Sequence, residues 1–107
     1  MIFIYSTFPN KKEAEEIGER LVKNKLVACV NIFPIESVYF WPASAKASVG
    51  KQNKIIKEKE FAAIFKTKKE NFRKVEKFIL ENHSYNTPCI IEIPLGRITK
   101  KYLSWLG

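Results

Sequence analysis

The sequence predicts an α+β domain in which four strands and two helices alternate in the order β-α-β-β-α-β. Two observations indicate this class. Short apolar runs rich in β-forming residues alternate with segments whose apolar residues recur at helical spacing. Helix-capping and turn residues separate these segments. A chain of 107 residues is long enough for one core, so we treat residues 1–107 as a single domain.

The first half of the chain predicts a strand, a helix and one arm of a hairpin. Residues 2–5 are an apolar run typical of a buried strand. Asn10 opens a variant of the capping box and starts a helix that ends near Asn24. Residues 26–41 predict a long strand interrupted near Pro34, because proline removes a ladder hydrogen bond and marks an edge or a bulge.

The second half predicts the remaining elements. They are a polar hairpin loop, a return strand, a fourth strand and a short C-terminal helix, at residues 42–53, 54–65, 88–93 and from residue 99. Thr67 and Glu70 form a capping box for the second helix, which ends near Asn82. The whole order is that of the ferredoxin-like sandwich, here with a long central hairpin.

Two helices on one face leave the other face of the predicted sheet without cover. Its strands carry consecutive apolar residues, a pattern that favours burial on both faces. The aromatic hairpin segment 38–41 lies beyond the reach of the helices. Large exposed apolar patches usually mark interfaces. We therefore expect other copies of this chain to cover this face in closed cyclic symmetry.

Composition narrows the choice of partners. The net charge is +8, and all eleven acidic residues are glutamates, which excludes sites built on aspartate. Most of the nineteen basic residues are lysines, whereas nucleic-acid readers favour arginine, so we expect no nucleic-acid partner. No apolar run is long enough to span a bilayer and no secretion signal is evident. The expected location is cytoplasmic, without membrane contact.

The cysteines and the single histidine are the remaining groups with distinctive chemistry. Cys29 and Cys89 lack metal-site or redox spacing, and a bridge between them would need adjacent strands. His83 lies where the second helix ends and the fourth strand begins. Imidazole is a common metal ligand, but a histidine there can also cap the helix, and both interpretations stay open.

Six segments, in order along essentially the whole chain, resemble the CutA family of divalent-ion tolerance proteins. They are residues 5–9, 25–31, 37–41, 58–67, 83–88 and 102–106. The resemblance implies a ferredoxin-like subunit in a tight homotrimer similar to the PII signalling proteins. It also implies a cytoplasmic role in tolerance of copper and other divalent metals.

The resemblance further implies a ligand cleft between subunits. The matching residues are Cys29, Trp41, Glu60, Lys66 and Tyr85, with His83 as the metal ligand. Such a set could hold a divalent metal such as copper, or Lys66 and Tyr85 could hold a small anion, with no obligatory cofactor. Ser6 and Asn82 stand where some copper-binding members carry a cysteine and a second histidine.

Two other functions occur on this strand order. An RNA-recognition domain needs aromatic residues beside a glycine on its central strands, and residues 28–31 and 61–65 contain no glycine. An acylphosphatase-type hydrolase needs a phosphate-binding loop with glycine and arginine, and residues 6–10 contain neither. Because no catalytic set is evident, we expect a binding protein and not an enzyme.

Overall fold

The computed structural model describes residues 1–41 and 54–107, so the predicted loop at 42–53 lies outside the described residues. The strands are β1 (Ile2–Phe8), β2 (Cys29–Trp41), β3 (Lys54–Thr67) and β4 (Ile90–Pro94). The helices are α1 (Lys11–Lys23), α2 (Phe72–Asn82) and α3 (Lys100–Leu106), and a 3-10 turn, Lys69–Asn71, precedes α2.

All strand pairs are antiparallel, and the sheet order is β2-β3-β1-β4. This is the ferredoxin-like arrangement, so the predicted fold class is confirmed. Alternate residues of β1 are buried and face the helices, starting with Ile2 and ending with Phe8. They pack with buried residues of both helices, among them Leu21 of α1 and Ile79 of α2. Both helices therefore share one face of the sheet.

The opposite face, here called the open face, carries the alternate residues. Its members are Phe3, Tyr5 and Thr7 of β1, the even-numbered residues 60–66 of β3 and the odd-numbered residues 29–41 of β2. Large apolar side chains on it are exposed, including Phe33, Ile91 and Ile93. Within the described part of a single chain, neither α1 nor α2 covers this face.

The central hairpin extends past the end of β1 as a two-stranded ribbon. The ribbon consists of residues 35–41 and 54–60, which pair with each other and have no β1 partner. On the side that faces the helices elsewhere in the sheet, Val38, Phe40 and Ile55 are 66%, 53% and 62% exposed. The predicted projection of the aromatic hairpin beyond the helices is therefore confirmed.

Strand boundaries differ from the predictions where backbone groups have other partners. The amides of Leu26 and Val27 both donate to the carbonyl of Leu21, which closes the end of α1, so β2 begins only at Cys29. Pro34 stays in continuous register with β3, and β2 is an edge strand. The edge interpretation of this proline is therefore correct, and the bulge interpretation is wrong.

One capping prediction is confirmed and the other is wrong. The Asn10 side chain accepts the amide of Glu13 at 2.9 Å and caps α1. The Thr67 hydroxyl instead donates to the carbonyl of Leu26 at 2.6 Å, because Thr67 still belongs to β3 and is buried against that connection. Asn71 donates to the Thr67 hydroxyl, and α2 starts without a side-chain cap.

The sheet order settles whether the two cysteines can bridge and which strands are central. Cys29 lies on edge strand β2 and Cys89 lies just before the opposite edge strand β4, so they cannot bridge and both are free thiols. Residues 28–31 were expected on a central strand, which is wrong, since the central strands are β3 and β1. Neither central strand contains the glycine of an RNA-recognition motif.

Candidate functional site

A carboxylate and a phenol form the centre of the candidate site. Glu60 lies on the open face of β3 and is only 8% exposed. Tyr85 comes from the loop between α2 and β4, and its hydroxyl donates to Glu60 Oε2 at 2.7 Å. Burial, together with the hydrogen bond to Glu60, raises the pKa of the Tyr85 phenol well above its usual value. The phenol is therefore the donor at neutral pH, and the carboxylate is the acceptor.

His83 lies behind this pair with its side chain fully buried. Its Nε2 is 2.7 Å from the carbonyl of Thr7, and its Nδ1 accepts the amide of Tyr85 at 3.0 Å. A carbonyl can only accept and an amide can only donate, so the neutral ring with its proton on Nε2 satisfies both partners. Both ring nitrogens are therefore engaged within the chain. That His83 binds a metal stays a prediction.

Aromatic rings and an acidic side chain enclose the imidazole. Phe8 stacks on it at 4.6 Å between ring centroids, and the Tyr85 ring lies 4.7 Å away on a tilted plane. Glu13 of α1 places Oε2 3.4 Å from Nδ1 and accepts the amide of Ser84 at 3.1 Å. The backbone amide of His83 itself caps α2 by donating to the carbonyl of Ile79. The histidine thus joins both helices, β1 and the loop.

Lys66 belongs to a second cluster at the other end of β3. Its Nζ donates to the Tyr102 hydroxyl at 2.9 Å and lies 5.8 Å from the centroid of the Phe3 ring. This hydrogen bond raises the pKa of Lys66, and the nearby Cys29 thiol adds to the effect. Cys29 lies directly opposite Lys66 in the register. Six residues of strand separate Lys66 from Glu60, which is about 20 Å.

Trp41 occupies a third position, at the end of the ribbon. Its ring packs against Tyr39 at 5.8 Å between centroids. It lies six residues beyond Ile35, the cross-strand partner of Glu60, which is again about 20 Å. One chain therefore divides the predicted set among three places: Glu60 lies with Tyr85 and His83, Lys66 lies opposite Cys29, and Trp41 lies at the end of the ribbon. Within residues 1–41 and 54–107, no three potential acidic, thiol or imidazole ligands lie close enough to hold a metal.

Two residues near Glu60 were missed by sequence reasoning. Burial raises the pKa of the Tyr5 phenol and of the Cys89 thiol, and the Glu60 carboxylate contributes to both shifts. Tyr5 pairs with Ile64 and Ile91 on the open face. The alternation of β1 was the available signal for Tyr5, whereas Cys89 lies before β4 and follows no strand alternation.

A cavity of about 420 Å³ lies elsewhere, at the end of the sheet where β3 finishes. Its walls include Val27, Thr67 and Trp105, and none of the predicted site residues line it. The chemistry of the candidate site is therefore concentrated on the open face and not in this cavity.

Comparison with known proteins shows the family to which this chain is related. The sequence profile of the CutA1 divalent ion tolerance protein family matches residues 2–107. The divalent-cation tolerance protein CutA of Archaeoglobus fulgidus is 45% identical over 104 residues, which is 97% of this chain and 92% of that protein. The chain belongs to the CutA1 divalent ion tolerance protein family. The Thermotoga maritima relative is 38% identical over 106 residues, 99% of this chain and 95% of that protein.

Solved structures of family members share the fold. The structure of the Archaeoglobus fulgidus protein, described as periplasmic, matches with a TM-score of 0.86, covering 99% of this chain and 95% of that one. CutA1 from Pyrococcus horikoshii matches with a TM-score of 0.86 at 33% identity, covering 99% and 94%. In the described part of this chain, no helix is both long and apolar enough to cross a bilayer.

Proposed function

We propose that three copies of this chain form a cytoplasmic homotrimer that binds a divalent cation or a small anion in the clefts between subunits. Its role is in metal tolerance, by binding and not by catalysis. The dispersal of the predicted cleft residues along the open face carries this proposal. Glu60, Lys66 and Trp41 share that face, yet about 20 Å separates Glu60 from each of the others, so only neighbouring copies can complete a site from them.

The ribbon supplies the physical reason for assembly. A two-stranded ribbon is marginally stable alone in water. This one also exposes Val38, Phe40 and Ile55 on one side. Placing the ribbon against a neighbour's sheet would bury these side chains and bring the Trp41 end of one subunit to another subunit's open face. Closed cyclic symmetry lets every copy give and receive the same contact.

The groups on the open face suit two classes of ligand. Glu60 offers carboxylate oxygens, which divalent cations bind, and Cys29 offers a thiol that suits copper or zinc. Lys66 offers a positive charge for a small anion. The names of the matched family and of the relatives, which refer to divalent ions, favour the cation. We therefore place the cation at Glu60.

Light scattering of the purified chain tests the assembly. We expect the mass of a trimer for the wild type and dissociation for Phe40→Lys, which puts a charge into the apolar side of the ribbon. Phe40 is 53% exposed in the single chain, so this variant removes little core packing. Glu16→Gln on the exposed side of α1 changes the net charge equally and should remain trimeric. A wild type that is monomeric at dilute concentration would refute the proposal.

Calorimetric titration tests the ligand separately. We expect the wild type to bind Cu²⁺ or Zn²⁺, and Glu60→Gln to lose about tenfold or more in affinity, because the variant lacks the carboxylate charge. ATP serves as the anionic probe, and Lys66→Ala is its matched variant. A trimer that binds none of the three probes would overturn the ligand part and leave the assembly part standing.

A further inference from the structure

The two nitrogens of His83 have different partners, and Nδ1 decides what the ring can do. An Nε2–H donated to a backbone carbonyl is also found in metal-binding histidines, where the other nitrogen holds the ion. The bond to Thr7 at 2.7 Å therefore fits either role. Nδ1, however, accepts the Tyr85 amide at 3.0 Å, and the side chain has no exposed surface. A metal at Nδ1 would have to displace that amide.

We infer that His83 is a positioning residue, which fixes the loop of residues 83–88 and so aims the Tyr85 hydroxyl at Glu60, and that it does not coordinate the bound ion. Glu60 as the site of the ion rests on the proposed function, whereas the anchoring of the loop by His83 follows from the contacts alone. It assigns to the single histidine of the chain a role distinct from a metal ligand.

The loop is held at successive residues. The amide of His83 caps α2, the amide of Ser84 binds Glu13 of α1, and the amide of Tyr85 binds the imidazole. The imidazole in turn is anchored to β1 by Thr7 and stacked on Phe8. From this fixed backbone the Tyr85 ring passes to the open face and reaches Glu60 at 2.7 Å. Without the imidazole, the Tyr85 amide loses its acceptor and the ring loses one of its packing surfaces.

Nitrogen-15 NMR of the wild type tests the inference without any substitution. The chain has one histidine, so the imidazole signals need no assignment among several rings. We expect the neutral ring with the proton on Nε2, and we expect both ring shifts to stay unchanged when Zn²⁺ is added to saturation. A large shift of Nδ1 on addition of Zn²⁺, or a proton on Nδ1 in its absence, would overturn the inference.

If Zn²⁺ does not bind at all, the cation part of the proposed function fails. The tautomer found without metal still tests the positioning role, so the two failures are distinguishable.

Substitution gives a second measurement. Zn²⁺ favours imidazole ligands more than Mn²⁺ does, so loss of a ligand would weaken Zn²⁺ binding more than Mn²⁺ binding. A positioning role predicts that His83→Ala weakens both by the same factor, with the ratio of the two affinities unchanged within about twofold. His83→Gln, which keeps a donor and an acceptor, should restore part of the lost affinity for both ions, and Ser84→Ala should leave both affinities unchanged. A selective loss of Zn²⁺ would refute positioning.

Discussion

The buried hydroxyl groups of Ser6 and Thr67 differ in their hydrogen bonding. This difference predicts that removing them changes the free energy of unfolding in opposite directions. Ser6 is fully buried between the sheet and the helices, and its Oγ has no hydrogen-bond partner among the described residues. Burying a hydroxyl without a partner costs about 1–3 kcal/mol in proteins. Deleting one oxygen forfeits a few dispersion contacts, roughly 0.5–1 kcal/mol. Ser6→Ala should therefore increase the free energy of unfolding by about 1 kcal/mol.

Thr67 is the matched comparison. It is also buried, but its hydroxyl donates to the Leu26 carbonyl at 2.6 Å and accepts from Asn71 at 3.2 Å. Thr67→Val keeps the shape and removes both bonds, which leaves the Leu26 carbonyl with the longer bond from Asn71 Nδ2, at 3.4 Å. The expected loss is about 1–3 kcal/mol. The two substitutions thus remove the same functional group but should change the free energy of unfolding in opposite directions.

Guanidinium unfolding at one fixed protein concentration measures both effects, because association makes apparent stability depend on concentration. We expect the midpoint of Ser6→Ala to rise and that of Thr67→Val to fall, with equal slopes. If Ser6→Ala is destabilised as much as Thr67→Val, then the Ser6 hydroxyl has a partner in the folded protein. That result would refute an unsatisfied Ser6 hydroxyl as a source of instability.

Two further predictions concern pH and packing. Folding raises the pKa of Tyr85, Tyr5 and Cys89 above the ordinary values of 10.0 for tyrosine and 9.0 for cysteine. The unfolded chain therefore loses protons first, and stability should fall as pH rises above about 9. Urea midpoints between pH 7 and 11 measure this fall, which should be shallower in Tyr85→Phe. An equally steep fall in that variant would contradict the contribution of the Tyr85 phenol. A Cβ on Gly18 would lie 2.9 Å from Cγ1 of Val30. Gly18→Ala should destabilise by about 1–2 kcal/mol despite its better helix propensity, and combination with Val30→Ala in a double-mutant cycle should show less than additive loss.

The sequence predicted the parts of the fold that depend on neighbours in the chain. Asn10 caps α1 as its spacing with Glu13 indicates, and α2 ends at Asn82 as expected. The same kind of local pattern failed at Thr67. There a carbonyl 41 residues away in sequence, that of Leu26, takes the hydroxyl which the capping box would have used. Local signals are reliable until a tertiary partner competes for the same group.

In the candidate site, too, local patterns predict the placement of residues on a strand but not their tertiary partners. Strand alternation suffices to place Glu60 and Lys66 on one face, and the rise per residue suffices to separate them by about 20 Å. The partners of these two residues lie on segments that no pattern connects to β3. Tyr102 reaches Lys66 from α3, and Tyr85 reaches Glu60 from the loop after α2. The role of His83 depends likewise on the Thr7 carbonyl, 76 residues earlier.

The position of Glu60 links assembly to ligand binding. A carboxylate that is 8% exposed already has little water around it, and the Tyr85 hydroxyl supplies one hydrogen bond in place of that water. In the proposed trimer, a neighbouring subunit would remove the remaining solvent. The cost of the negative charge would then rise, because a buried charge needs a paired charge or further donors. A cation at Glu60 offsets that cost only in the assembled state, so cation binding and trimer formation should each strengthen the other by the same factor.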